Sequence, residues 1–403
     1  MNTTGLKKSN LFKVLKAVKL QGLLSKPDIA RRTGLTAASV HNFVGELLAA
    51  GLLVEEGESP SNGGRKASLY RFNESAVYIL GVYVALHSVT CCMFDLAFTP
   101  IHSSVQPINL DGDDVQSNIH LVLRQIEACL AASNIPKDKV AGIGVTVPGP
   151  VNREKGLVSS LAGAKNWVNI PLKTLVEDAT GLPVILDKDN CGIVLHYKWA
   201  ARPAERANVV HISITDGIGA GVLIGGSLYQ GSHNLAGEVG HTTVVPDGIP
   251  CTCGNRGCLE QYASNTAIVR EVLLRLRQGE ASALRAVLDA NGRLTIEDVV
   301  QAVRAADPMA LSICTQAAQL LAIGLGNVVR MLDPDEVVFD CLWLKELPDM
   351  FAMIQNRLFE TTQVVTRGDI RITLGDIDDL LIKAAATLPY ERLFGRYETC
   401  TLI

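Results

Sequence analysis

The sequence predicts an α/β protein, with a winged helix-turn-helix head over residues 1–75 and a two-lobed body over residues 76–403. Three observations predict it. A short basic stretch divides into three helices and a hairpin. From about Ala76 strands alternate with helices. Each half of that alternation opens on a hairpin of apolar, β-branched residues. At 403 residues the chain exceeds one ordinary core, so two or three domains are expected.

Leu11, Leu15 and Val18 recur at helical spacing and predict a first helix over roughly 10–21. Ser25 is a good N-cap and Pro27 suits a first turn, so a second helix runs from about 26 to Thr33. Gly34 breaks it in a tight turn, the helix-turn-helix pattern. Thr36 caps a third helix from about 37 to Ala50, with Val40, Phe43, Val44 and Leu47 on one face. The outward face carries no apolar stripe. "LLVEEGE" and "KASLYRF" then read as two strands joined by the Gly-rich tip "SPSNGGR".

Charge separates this head from the rest. Residues 1–72 carry 11 Lys and Arg against 5 Asp and Glu, whereas the remaining chain carries 26 against 36. A basic head on an acidic body suggests that only the head meets a polyanion. The third helix would lie in the major groove of double-stranded DNA, with Thr36, Ala37, Ser39, His41 and Asn42 reaching base edges. Arg65 and Lys66 at the wing would meet phosphate or the minor groove. Paired half-sites call for two heads, so a homodimer or homotetramer is expected, with its interface sought in 264–330.

"AVYILGVYVALHSVTCCMFDL" reads as paired strands, and a helix follows over roughly 113–132. "VAGIGVTVPGPV" is a buried strand into a turn, followed by a helix near 171–180, the strand "PVILDKD" and another helix. "NVVHISITDGIGAGVLIGGSLYQG" is a second strand-turn-strand unit, and the part from about 264 is mostly helical with one strand at "EVVFD". The lobes are placed at about 76–188 plus the C-terminal end, and at about 189–385. A cleft between lobes is where a small ligand would bind. No run of eighteen uncharged apolar residues suggests a membrane span, and the lysine-broken start is not a signal peptide, so a cytoplasmic protein is expected.

His241, Cys251, Cys253 and Cys258 fall within eighteen residues, the cysteines as C-x-C-x4-C. In a reducing compartment such a cluster suggests metal rather than disulfides. Three thiolates and one imidazole suit tetrahedral Zn2+ and leave no open position, so one structural zinc per chain is expected.

"GIGVTVPGPV", "GLPVILDKDN", "GIGAGVLIGGSLYQGSHNLAGEVGH" and "CTCGNRGCLEQYAS" together resemble the ROK family of repressors, open-reading-frame proteins and sugar kinases. The resemblance runs in order over essentially all of 78–390. With the winged helix in front, the chain is similar to the repressor branch, typified by the N-acetylglucosamine and glucose-responsive repressors. The resemblance implies an actin-like, RNase-H-like body and points to the same four zinc ligands. It implies that Asp189, Glu238, His241 and Glu260 contact a hexose, Asp189 also matching the general base of the kinases. It further allows control by a sugar-transport protein.

Where the family often has Asn before that Asp, this chain has Lys188, which would suit a sugar phosphate or sugar acid. The Asn of the following loop is replaced by Gly163, four residues before Trp167. The phosphate-cradle motif Asp-x-Gly-Gly-Thr is replaced by "YVALH" (Tyr83–His87), Gly-Thr-Gly by Thr215-Asp216-Gly217, and a Gly-Gly pair by Asp340-Cys341. A cradle needs close backbone approach and a carboxylate near Mg2+. The expectation is therefore a sugar-responsive DNA-binding regulator, probed against the alternative of an ATP-dependent sugar kinase acting through Asp189.

Overall fold

The computed structural model describes residues 3–58, 66–112, 114–161, 163–200, 207–361, 368–375, 379–395 and 402. The chain forms two compact units, 1–192 with 381–403, and 193–380. The head clusters with the first unit rather than standing apart.

The head comprises α1 (Thr3–Gln21), β1 (Leu24–Ser25), α2 (Lys26–Thr33), α3 (Ala37–Ala49), β2 (Leu53–Glu58) and β3 (Ser68–Phe72). α1 begins about two turns earlier than the apolar periodicity predicts, and Lys7 there pairs with Glu46 of α3 at 3.0 Å. Ser25 and Asp28 form a capping box on α2, and Gly34 ends it in the left-handed region (φ 69°). Thr36 caps α3 by accepting from the Ser39 amide. Val14, Leu15, Val18, Ile29, Val40, Val44 and Leu47 are buried and form the head's core. β3 sits between β1 and β2, and the β2–β3 pair is the wing.

The rest of the first unit adds β4 (Tyr78–Val84), β5 (Ser88–Phe94), β6 (Pro100–Pro107), α4 (Val115–Ala132), β7 (Val140–Val147), β8 (Val151–Asn152), β9 (Leu157–Val158), α5 (Leu172–Thr180), β10 (Val184–Lys188) and α6 (Asp189–Ala200). α4 starts at Val115, two residues later than predicted, because Asp114 caps it. The sheet order is β10-β7-β4-β5-β6, with β10, β7 and β4 parallel. Their carboxyl ends therefore share one edge, the edge at which open α/β sheets bind ligands. Asp187, Thr146 and Tyr83 lie in register there.

The second unit contains β11 (Val209–Ile214), β12 (Ile218–Ile224), β13 (Ser227–Leu228), α7 (Glu260–Ala263), α8 (Asn265–Arg277), α9 (Leu284–Asn291), α10 (Ile296–Arg304), α11 (Pro308–Leu332), β14 (Glu336–Cys341), α12 (Leu342–Glu346), α13 (Pro348–Thr361) and β15 (Arg371–Leu374). Its sheet runs β13-β12-β11-β14-β15, with β11, β14 and β15 parallel. α11 is long and apolar enough to cross a membrane by composition, which the sequence reading did not anticipate. Its buried side, including Ile313, Ala317, Leu321 and Leu325, packs in the unit's core. α14 (Leu380–Phe394) then closes the first unit.

Candidate functional site

In the second unit, β12 organises the loops that carry His241 and the two predicted carboxylates. A Cβ on Gly237 would stand 1.9 Å from the Ala220 carbonyl oxygen, and one on Gly240 would stand 2.1 Å from that of Ile218. Only glycine permits this approach, and Gly237 also has φ +86°. Glu238 and His241 are thereby pinned beside the start of β12. Glu260, the first residue of α7, accepts the Ile218 amide at 2.9 Å through Oε2. One oxygen of a predicted ligand contact is thus committed to the backbone, and Glu260 also positions the loop. Glu238, His241 and Glu260 gather around Ile218–Ala220.

The ligand atoms of His241, Cys251, Cys253 and Cys258 all lie within 4.8 Å of one another, so this group could hold a metal ion. His241 Nδ1 stands 3.5 Å from Cys251 Sγ, and Cys253 Sγ stands 3.7 Å from Cys258 Sγ. The loop folds tightly because Gly257 passes over Val245, whose carbonyl would be 1.7 Å from a Cβ there. Val244 donates to Gly257, Gly257 to Ile249 and Cys251 to Asn255. Burial raises the Cys251 thiol, but hydrogen bonds from Cys253, His241 and Cys258 outweigh it and bring the pKa down to about 7. Burial, with Cys253 and Cys251, pushes the Cys258 thiol the other way, up to about 12, so the proton is shared unevenly across the cluster. Gln261 donates to Cys251 Sγ at 3.6 Å and is held in turn by Arg270. Neither outer residue was predicted, since nothing in their spacing marks them.

In the first unit, β10 runs directly into α6, which places Asp189 at a helix start. Its Oδ1 accepts from the Asn190 amide at 2.7 Å and the Asn190 side chain at 3.1 Å. Lys188 before it is buried. Asp187, which the sequence reading did not single out, is only 1% exposed. Burial raises its carboxyl, while Arg153 at 3.3 Å and the Lys188 amide at 2.9 Å favour the ionised form. An acid inside an otherwise apolar strand was the available signal.

The three altered cradle positions have distinct structures. Ala85–His87 form the turn between β4 and β5, with the Ala85 amide donating to Ser88. The Leu86 side chain lies so close to Gly163 that a Cβ there would stand 2.8 Å from Leu86 Cδ2. Thr215 donates to Gly217 across a tight turn, and the Asp216 carboxylate accepts from Thr266 at 3.3 Å. A groove of about 830 Å3 opens beside this turn, lined by Asp216, Val269, Arg270, Leu274 and Leu294. Asp340 is the penultimate residue of β14, with its carboxyl raised by burial against the pull of Lys345.

On the head, Thr36, Ala37, His41 and Asn42 are exposed on the first turns of α3. Ser39 is half-buried, and its hydroxyl accepts from that of Thr36 at 2.9 Å. His41 Nδ1 lies 3.2 Å from the Lys26 ammonium, which adds a cation the sequence reading missed. Lys66 pairs with Glu58 at 3.6 Å across the wing. Arg65 lies outside the described residues.

The fold and the sequence both have known counterparts. The ROK family model matches residues 80–367. A xylose repressor of Caldicellulosiruptor bescii is 28% identical over 337 residues, covering 84% of each chain. A glucokinase of Halalkalibacterium halodurans is 34% identical over 210 residues, 52% of this chain and 63% of its own. The crystal structure of a ROK family transcriptional regulator, a homologue of the Escherichia coli Mlc protein, superposes with a TM-score of 0.82 at 26% identity over 98% of both chains. With its body matched by the family model and its architecture shared from head to C-terminal helix with a ROK regulator, this chain belongs to the ROK family.

Proposed function

We propose that this chain is a cytoplasmic, DNA-binding transcriptional regulator, a repressor of carbohydrate-use genes whose operator affinity falls when a sugar or sugar derivative binds the body. The observation that carries this reading is the winged head, with Thr36, Ala37, His41 and Asn42 exposed on α3, joined to a ROK body. Relatives named as repressors cover most of the chain, among them the xylose repressor over 84% of it. Asp189, Glu238, His241 and Glu260 are the proposed sugar contacts. Lys188 extends the effector class to sugar phosphates and sugar acids. Two heads in a homodimer or homotetramer would read paired half-sites.

The cluster fits structural zinc. A tetrahedron with bonds of about 2.0–2.3 Å has edges of roughly 3.5–3.8 Å. Of the six edges, the 3.5 Å N–S and 3.7 Å S–S separations match, and all four ligand atoms lie within 4.8 Å of one another. Zinc there would neutralise the thiolates and fix the loop. Ligation through Nδ1 leaves His241 Nε2 for a ligand.

A kinase is the second reading, favoured by the retained Asp189 and the glucokinase relative. Against it stand Leu86 packed on Gly163, the Asp216 carboxylate in the second cradle and Asp340-Cys341 in the third. Each removes the close, uncharged backbone approach that a nucleotide phosphate needs.

Selection from random duplex DNA tests the reading, followed by titration of the bound duplex with xylose, glucose, N-acetylglucosamine, their phosphates and sugar acids. A paired half-site should be enriched, and one sugar should weaken binding by about 5–150-fold. No enriched sequence, or ADP release with any sugar, would overturn it. If no sugar acts but a sugar-transport protein strips the chain from DNA, that partner is the effector.

A further inference from the structure

α14 contacts two places that the proposed function needs to connect. It meets the first unit's sheet at two glycines and α6 at a third. A Cβ on Gly81 of β4 would stand 2.7 Å from the Ile382 carbonyl oxygen, and one on Gly144 of β7 only 1.8 Å from that of Ala385. Ala385 is the carbonyl left without its helical donor by Pro389. A Cβ on Gly192 of α6 would stand 2.6 Å from the Ala384 carbonyl oxygen, three residues after Asp189. Bare backbone meets bare backbone here, so any shift of the first turn of α6 presses on α14 with no side chain to absorb it.

The other end of α14 reaches the head. Tyr390 and Phe394 are buried, with ring centroids 4.7 Å apart; Phe98 is 4.9 Å from Tyr390, and Phe72 at the end of β3 is 5.7 Å from Phe394. Into this cluster α1 sends Lys19. Its ammonium lies 4.8 Å from the Phe72 ring, 4.8 Å from Tyr390 and 5.4 Å from Phe394. The ring faces attract a cation. Burial nevertheless outweighs the attraction of Glu74 and Asp95 and brings the Lys19 pKa down to about 8. Lys19 thus sits in the cage at a desolvation cost that an apolar side chain would not incur.

We propose that Lys19 is a positioning residue that docks the DNA-binding head reversibly on α14, the helix that also abuts the first turn of α6 beside Asp189. The docked head is held by a contact strong enough to orient it and weak enough to release. The function assigned to the head and to Asp189 rests on the reading above, but the docking itself does not.

Hydrogen exchange of the full chain, with neither DNA nor sugar, separates the two. In Lys19→Met, amides of 3–49 should exchange at least about threefold more slowly than in the wild type. In Lys19→Arg they should stay near wild type, and in Lys19→Glu they should exchange about tenfold faster, with 207–361 unchanged throughout. Tyr390→Leu removes one wall of the cage from the body side, so faster exchange of the head in that variant cannot come from a defect inside the head. Gly192→Ala should also speed head exchange. Wild-type exchange in Lys19→Met, Lys19→Glu and Tyr390→Leu alike would overturn the docking, as would faster exchange in Lys19→Met. Wild-type head exchange in a folded Gly192→Ala protein would overturn the link to α6. Failure of every duplex and sugar to bind, with these exchange results intact, would sink the regulator reading and leave the docking standing.

Discussion

Each unit buries ionisable side chains within its five-stranded sheet, and they differ in whether they have partners. In the first unit Asp187 is ion-paired with Arg153 and accepts the Lys188 amide. In the second, His211 on β11 is fully buried, and neither ring nitrogen has a hydrogen-bond partner among the described residues. Burial lowers its pKa to about 3. The same contrast holds for the predicted ligand residues. Lys188 and Asp189 stand on a strand-to-helix junction fixed by the sheet. Glu238 and His241 stand in a segment fixed by glycine contacts, Glu260 starts α7, and His241 joins a cluster of thiols that repel one another once ionised. Both units pair a buried strand carboxylate with an arginine, Asp187 with Arg153 and Glu336 with Arg371, whereas the thiol cluster of the second is expected to need an ion.

The largest break in this comparison should come from the metal. Chelation, or Cys258→Ser, should destabilise the second unit by several kcal/mol and abolish sugar response. Calorimetry should show one transition falling while the other holds, and DNA binding by the head should persist. Loss of both functions together in a folded protein would refute that division.

Acid comes next. Unfolded His211 takes a proton near pH 6.5, but the folded residue resists until about pH 3. Stability from its neutral form is therefore present above pH 6.5 and is lost as pH falls through that window, by on the order of 5 kcal/mol at its lower end. Asp187 has the opposite sign. Its folded pKa is raised, so its cost is present at neutral pH and is relieved as pH falls. The second unit should unfold first on acidification, and His211→Leu should flatten that dependence.

Arg153→Met sharpens the other side. It leaves the buried Asp187 without its guanidinium, at a cost to the first unit of about 1–3 kcal/mol, discounted because Arg153 is itself partly exposed. A denaturant midpoint unchanged from wild type would show that the Lys188 amide suffices. The smallest effect belongs to the head. Thr36→Ala removes the α3 cap and should cost about 1 kcal/mol, read as faster exchange confined to α3.

Much of this was written locally. Capping residues, turn glycines and apolar spacing located α2 and α3 to within a residue, because each signal acts within a few positions along the chain. The C-x-C-x4-C spacing with His241 marked the cluster for the same reason. What the sequence left dark depends on long-range approach. Asp187 and Arg153 lie far enough apart in the chain that no spacing links them. Glu260 could be read only as a ligand contact until the Ile218 amide was found on it. Lys19 looked like one more cation on a basic head, and only the return of α14 around it, hundreds of residues later, turned it into a buried contact. The sequence by itself determined the elements and the chemistry available at each motif, since both follow from neighbours in the chain. Tertiary structure decided which groups share a site and which charges are neutralised, since burial and proximity are set by packing between distant segments.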